Sequence, residues 1–401
     1  MLTIIGGIYW EKCLRPRWDN VYGSAGRAAS AIARLGGQVE LQGYLDSELE
    51  RIMKTRSIEE GFSLLTTALP RSAIFSYTYG LAVPQYYQPE RQPNLKVKSE
   101  KVLRFGMIEG TAVVDAEYVV FDPQNVGAPE NFTDNGSKAR HLALVLNSYE
   151  ASQMLGERGL RAEEIIRRLA EEQGAEVVVL KQGPKGALVC HEGEYHRISA
   201  FLTNHVWKIG SGDQFAANFA YAWMEEKRHP FDAAERASKA TAYYAEHCDF
   251  PTAKALDEYT PLALTVSDRY LAGRAPTVYL AGPFFTLGEI WVIEQARNCL
   301  IDMGLNVFSP YHDVGPGPAE QVVNQDILGI HESDLVLAIG DGLDSGTIFE
   351  IGYARARQMP VVFYAENVSQ EDRKMMQGTD CFLSDDFVSA IYRTVWVAIN
   401  L

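Results

Sequence analysis

Residues 340–356 read GDGLDSGTIFEIGYARA and lie between two apolar runs, LVLAI (335–339) and PVVFY (360–364). Within this stretch Asp344, Ser345 and Gly346 precede a lone glutamate, Glu350, at the start of a helix predicted over 347–358. Thr347-x-x-Glu350 fits a capping box, and Asp344 and Ser345 are ordinary helix-cap residues. The same groups also suit chemistry, because a carboxylate in the first turn of a helix is held ionised by the dipole and the free amides. Three further segments bear on the choice. YLAGPFF (279–285) places Tyr279, Gly282 and Phe284 at the end of a strand, apt for stacking a flat ring. FSPYHD (308–313) ends the next strand, and NQDILGIHESDLVLAI (324–339) sets Asp326 eight residues ahead of Asp334. Loops at the carboxyl ends of strands in a doubly wound sheet converge on one crevice. Two carboxylates beside aromatic rings there could cleave an N-glycosidic bond, one attacking the anomeric carbon and one protonating the departing base.

A second group of residues suits phosphoryl transfer. KIGSGDQFAANFAYA (208–222) opens a helix at Gly210, Ser211 and Gly212, with Asp213 in its first turn. Free amides converging at such a terminus can hold the charge of a transferring phosphoryl group, and the carboxylate can take a hydroxyl proton. An N-cap with turn glycines is the plainer reading. GSAGRAASAIARLG (23–36) is a Gly-rich turn entering an alanine-rich helix. VVVLKQGPKGALV (177–189) is a strand–turn–strand with Lys181, Gly183 and Gly186 at its connection.

The elements that must position these groups alternate. Short β-branched runs recur at 2–5, 118–121, 144–146 and 178–180, with helical periodicity between them, as in RAEEIIRRLAEE (161–172). This alternation predicts parallel α/β sheets covered by helices on both faces. The segment 70–110, rich in aromatics and prolines, reads as irregular or antiparallel structure, laid over a site or forming plain surface loop. Around 250–276 the text turns proline-bounded, and a fresh strand begins at Val278. The expected domains are therefore 1–270 and 276–401. The second repeats the α/β grammar, with strands at 277–281, 305–308, 335–339 and 360–364 and helices at 288–303, 320–332 and 347–358.

The bulk numbers narrow the function classes. A net charge of -15 disfavours a nucleic-acid or anionic-membrane partner. MLTIIGGIYW reads as a first strand, without the basic region of a signal peptide, and no apolar run approaches a membrane span. Five cysteines scattered singly read as reduced thiols of a cytoplasmic protein, and eight scattered histidines argue against a dedicated metal cage.

In order and spacing, the phosphate-related motifs over 1–265 resemble the ribokinase-like (PfkB) family of sugar and nucleoside kinases. The resemblance implies a ribokinase-like αβα sandwich that uses ATP and Mg²⁺. It implies Asp213 as general base, 210–212 as anion hole, and LKQGPKG (180–186) as the strand leading to the nucleotide. NSYE (147–150) corresponds to the family's N-x-x-E element, linking Asn147 and Glu150 indirectly to Mg²⁺. Glu11 stands where the family usually has a sugar-binding Asp, and Arg27 where the Gly-rich motif usually has Asn. Active phosphotransfer, an altered acceptor, or a kinase fold kept for binding alone all stay open.

Residues 277–365 resemble the nucleoside 2-deoxyribosyltransferase family and its nucleotide N-hydrolase relatives, through the match D-S-G-T-x-x-E-x-G-x-A. The resemblance implies a smaller flavodoxin-like or Rossmann-like parallel-sheet domain with no cofactor. It implies Glu350 as nucleophile, Tyr279 orienting it, and Asp326 as the acid serving the base. Asp344 takes the position that meets the sugar's 5′ end, and a carboxylate there favours a free nucleoside over a nucleotide. It also implies a homo-oligomer. Together the two resemblances predict a bifunctional enzyme of nucleoside metabolism that hydrolyses or transfers at the N-glycosidic bond and phosphorylates a pentose or nucleoside. The alternative is a nucleotide or NAD glycosidase whose kinase-like domain only senses a ligand.

Overall fold

The computed structural model describes residues 1–127 and 129–401. The chain forms two compact units, Met1–Thr203 with Trp207–Ala263, and Asn204–Val206 with Leu264–Leu401. The segment 264–275 folds with the second unit. Ser267 donates its amide to the Ile399 carbonyl, and Asn400 donates to the Thr265 carbonyl.

The first unit contains strands β1 (Leu2–Ile5), β2 (Trp10–Arg15), β3 (Trp18–Val21), β4 (Val39–Leu45), β5 (Ser63–Ala68), β6 (Ile74–Tyr79), β7 (Gln85–Tyr87), β8 (Leu95–Phe105), β9 (Ala112–Asp122), β10 (Lys138–Asn147), β11 (Val177–Lys181), β12 (Ala187–His191) and β13 (Glu194–Ile198). Its main helices are α1 (Gly23–Arg34), α2 (Ser47–Glu60), α3 (Ser148–Leu155), α4 (Ala162–Gln173), α5 (Ser211–Ala220), α6 (Pro230–His247) and the short α7 (Ala253–Glu258). Nine strands make one sheet in the order β13-β12-β11-β10-β9-β8-β1-β4-β5, parallel except at the β11–β12–β13 end. Strand periodicity sends successive side chains to opposite faces, and both faces are buried. Ile4, Val120, Val145 and Val179 join the core beneath α1, α5 and α6. Their chain neighbours Ile5, Val119, Leu144 and Val178 join the core beneath α3 and α4. A separate four-stranded sheet, β3-β2-β6-β7, carries Glu11.

The expectation for 70–110 is half corrected here. Residues 74–79 and 85–87 do belong to the small sheet, whose β2–β6 pair is parallel and whose other pairs are antiparallel. Residues 95–105 instead form a long strand within the main sheet, pairing with β1 and β9.

The second unit contains α8 (Asp268–Leu271), β14 (Thr277–Ala281), α9 (Leu287–Asp302), β15 (Asn306–Phe308), α10 (Ala319–Glu332), β16 (Leu335–Ile339), α11 (Ser345–Ala356), β17 (Val361–Tyr364), α12 (Lys374–Gly378), β18 (Phe382–Ser384) and α13 (Phe387–Asn400). Its five strands are all parallel in the order β15-β14-β16-β17-β18. That order reverses between β14 and β16, so the crevice of this doubly wound sheet opens at their carboxyl ends. Among the described residues no helix is long and apolar enough to cross a membrane.

Candidate active sites

In the second unit the crevice at the β14/β16 switch point gathers the residues singled out by spacing. Tyr279 projects from the fully buried middle of β14 and donates its hydroxyl to Glu350 Oε1 at 2.6 Å. Its ring stacks on Phe308, with centroids 5.5 Å apart. Phe308 in turn needs Gly329, because a Cβ at that position would lie 2.2 Å from its ring. Asp326, one turn earlier on the same helix α10, has one carboxylate oxygen buried without a hydrogen-bond partner. Burial raises its pKa. Glu350 is pushed up to about 7, first by burial and then by the charges of Asp326 and Asp344, while the Tyr279 hydrogen bond pulls the other way. Tyr279 is itself pushed well above the ordinary phenol range by burial and by the Glu350 charge.

The helix start is built differently from the Thr347–Glu350 capping box. Asp344 is the N-cap, and its Oδ2 accepts from the Thr347 amide at 2.9 Å and the Thr347 hydroxyl at 3.1 Å. With the cap three residues upstream, Glu350 turns to Tyr279. Ser345 and Gly346 are exposed in the first turn, and a Cβ on Gly346 would come within 3.1 Å of the Asp344 carboxylate. Gly282 is demanded by packing, since a Cβ there would meet Ile293 at 2.5 Å and Ile339 at 3.0 Å. Phe284 forms an aromatic group with Phe285 and Tyr311, each pair 5.5 Å between centroids. Tyr311, from FSPYHD, was not named from sequence, although it lies at a strand's carboxyl end as the others do.

In the first unit α5 begins at Gly210, whose backbone is left-handed with φ +76°. Lys208 donates to the Ser211 hydroxyl at 3.0 Å. The Lys181 ammonium lies 3.6 Å from where a Cβ on Gly212 would be, so two lysines flank the helix amides. Lys181 also pairs with the fully buried Asp122 at 2.6 Å. Burial pushes Asp122 up to about 7 against the pull of Lys181, with Glu150 adding to the rise. Burial pulls Lys181 down, but Asp122 and Glu150 more than offset it, and its pKa is raised. Lys208 is lowered by burial and by the charge of Lys181.

Asn147 and Glu150 form a complete capping box for α3. Asn147 Oδ1 accepts from the Glu150 amide at 2.9 Å, and Glu150 Oε2 accepts from the Asn147 amide at 2.7 Å. Gly183 opens a short 3₁₀ turn with φ +59°. Gly186 is fixed by packing, because a Cβ there would lie 2.0 Å from the Ile198 carbonyl oxygen. Asp122, Gln124 and Lys208 escaped the sequence reading. The signal available for Asp122 was its place at the end of the run 118–121, where a parallel strand delivers its loop to the crevice.

Asp213 and Arg27 do meet, together with Glu11. Arg27 Nη1 donates to Asp213 Oδ2 at 2.8 Å and to Glu11 Oε1 at 3.0 Å, and Nη2 donates to Glu11 Oε2. Arg27 Nε donates to the Tyr244 hydroxyl at 3.2 Å. Gln124 donates to the other oxygen of Asp213 at 2.8 Å. The Arg27, Glu11 and Asp213 side chains are 0%, 2% and 8% exposed.

Residues 278–383 match the family model described as nucleoside 2-deoxyribosyltransferase. Residues 136–247 match the model described as pfkB family carbohydrate kinase. No curated protein matches the chain at a significant level. Among solved structures, a pyrophosphate-dependent kinase in the ribokinase family, determined as a sulfate complex, is 16% identical with a TM-score of 0.50. The match covers 65% of this chain and 100% of that one. A nucleoside kinase from Burkholderia thailandensis in complex with inosine is 19% identical with a TM-score of 0.50, covering 65% of this chain and 99% of that one. At such identities the likeness establishes the fold alone. The chain thus carries a segment that matches the pfkB carbohydrate kinase model, within a unit of ribokinase-like fold, followed by a segment that matches the nucleoside 2-deoxyribosyltransferase model.

Proposed function

We propose that the second unit cleaves the N-glycosidic bond of a nucleoside through a covalent glycosyl-Glu350 intermediate. The observation that carries this reading is the buried Tyr279–Glu350 hydrogen bond facing Asp326. In its ionised form Glu350 attacks C1′, forming a C1′–O ester as the C1′–N bond breaks. The bonding electrons leave with the base, which must gain a proton; Asp326 is the carboxyl offered for that donation, and burial favours its neutral form. Water or a second base then displaces the sugar from Glu350. The negative charge of Asp344 supports a free nucleoside rather than a 5′-monophosphate, since like charges repel strongly in a poorly screened pocket.

The test is a screen of nucleosides and nucleotides by mass spectrometry, with Glu350→Ala as control and intact-mass analysis for a pentosyl adduct. Base release that persists in folded Glu350→Ala rules the mechanism out. A homo-oligomer rests on the family resemblance, and sedimentation velocity checks it.

The first unit, in the same reading, binds ATP with Mg²⁺. The α5 amides with Lys181 and Lys208 support a bound polyphosphate. Asp122 is already paired with Lys181 and Glu150 caps α3, so magnesium would be held mainly by the phosphates themselves, with Asn147 and Glu150 acting on it indirectly. Bound there, the ion would neutralise phosphate charge.

A further inference from the structure

The ion network around Arg27 decides whether Asp213 is free to act as a base. A general base must present an oxygen within about 2.6–3.2 Å of the hydroxyl it deprotonates. Both oxygens of Asp213 already hold donors, Arg27 on one and Gln124 on the other, each at 2.8 Å. Glu11, the other carboxylate on the acceptor side, accepts from both terminal nitrogens of the same guanidinium. Glu11 belongs to the small sheet, whereas Arg27 and Asp213 belong to helices α1 and α5 packed on the large one. The guanidinium therefore sits fully buried between the two carboxylates, bridging the acids of the small sheet and of α5.

Backbone architecture is fitted to this arrangement. A Cβ on Gly210 would lie 2.0 Å from Arg27 Nε and 2.1 Å from its Cζ, so the glycine that opens α5 is also the floor on which the guanidinium rests. Tyr244 supplies a wall. Its hydroxyl accepts from Arg27 and from Trp207 and donates to the Ile209 carbonyl. A planar guanidinium with fixed donors suits such bidentate pairing better than a lysine would.

We propose that Arg27 holds Asp213 as a structural counter-ion, so that the ribokinase-like unit binds its nucleotide without transferring a phosphoryl group. This rests on the reading of the first unit as a nucleotide binder. The unit is then a ligand-binding module, and the chemistry of the chain belongs to Glu350.

The experiment combines three readouts on the full-length protein. Calorimetric titration with ATP·Mg²⁺ reads binding. ³¹P NMR with pooled pentoses, hexoses, polyols and nucleosides reads turnover. Hydrogen exchange reads local opening in peptides covering 22–34 and 208–220. The expected result is ATP binding, no acceptor-dependent loss of γ-phosphate in the parent or in Asp213→Asn, and exchange about tenfold or more faster in Asp213→Asn. Turnover that disappears in Asp213→Asn overturns the proposal. So does an Asp213→Asn variant with unchanged exchange, because Glu11 would then suffice as the counter-ion of Arg27 and Asp213 would hold no structural role. Absence of ATP binding alone refutes the nucleotide reading, a separate outcome from either of these.

Discussion

Replacing Tyr279 by Phe removes one hydroxyl and tests how the nucleophile is kept ready. The hydroxyl donates to Glu350 at 2.6 Å and stabilises its ionised form against burial and the charges of Asp326 and Asp344, which together raise the pKa to about 7. A hydrogen bond to an ionised group contributes roughly 1.5–3 kcal/mol, and one pKa unit is about 1.4 kcal/mol. Its loss therefore moves Glu350 upward by roughly one to two units. The assay is kcat/KM for nucleoside cleavage against pH, which reports the ionisation of the free enzyme. In the parent the rising limb is expected near 7, where Glu350 ionises. In Tyr279→Phe it is centred roughly at 8–9, so the rate at pH 7 falls by about 5- to 50-fold and recovers in alkali. A limb that stays in place or moves down refutes the argument. The same shift has a stability counterpart of opposite pH sense. A carboxyl whose folded pKa exceeds its ordinary 4.5 stabilises the fold below that value and loses the contribution as pH rises through 7. The loss amounts to at most about 3 kcal/mol, and Tyr279→Phe extends it to higher pH in denaturant titrations.

Asp344→Asn keeps a competent helix cap but removes a charge acting on Glu350, so the rising limb of the same profile moves to lower pH. It should also raise cleavage of 5′-monophosphates relative to nucleosides by about tenfold or more, read as a ratio of kcat/KM values. Gly329→Ala drives a methyl into the Phe308 ring at 2.2 Å. Thermal unfolding should report a loss of about 1–3 kcal/mol, and cleavage should fall as Tyr279 loses its stacking partner.

Much of the second unit could be read in advance because its three central strands are short runs buried on both faces. TVYLA and LVLAI contain no competing periodicity, and the helices between them are bounded within one or two residues of expectation. Strand β8 was hidden by its own exposure pattern. Lys96, Lys98 and Glu100 face water along its first half, and only VLRF at its end carries a buried-strand signature. The tail beyond 365 was unassigned, and β18 is only three residues long. Glu350, Tyr279 and Asp326 could be brought together on paper because one topological rule gathers the carboxyl ends of parallel strands. The exact cap could not, since Asp344 and Thr347 are both competent and only the backbone decides between them. The Arg27 network had no local signal at all. Its partners lie 16 and 186 residues away, and the departure from the expected residue types was visible where its geometry was not.

The margins of the two large sheets also govern how the chain resists sticking to itself. An unpaired strand edge is a template for another strand, and natural sheets blunt it with brevity or charge. Both margins of the five-stranded sheet, β15 and β18, are three residues long and offer few free backbone groups. At one end of the nine-stranded sheet β13 reads EYHRI, with charged Glu194 and Arg197 turned to water. The opposite end is β5, SLLTTA, six residues without a charge and with Leu65 57% exposed. Edge protection is thus unequal, and β5 is the margin where a lysine on the solvent side would most improve colloidal behaviour at high concentration.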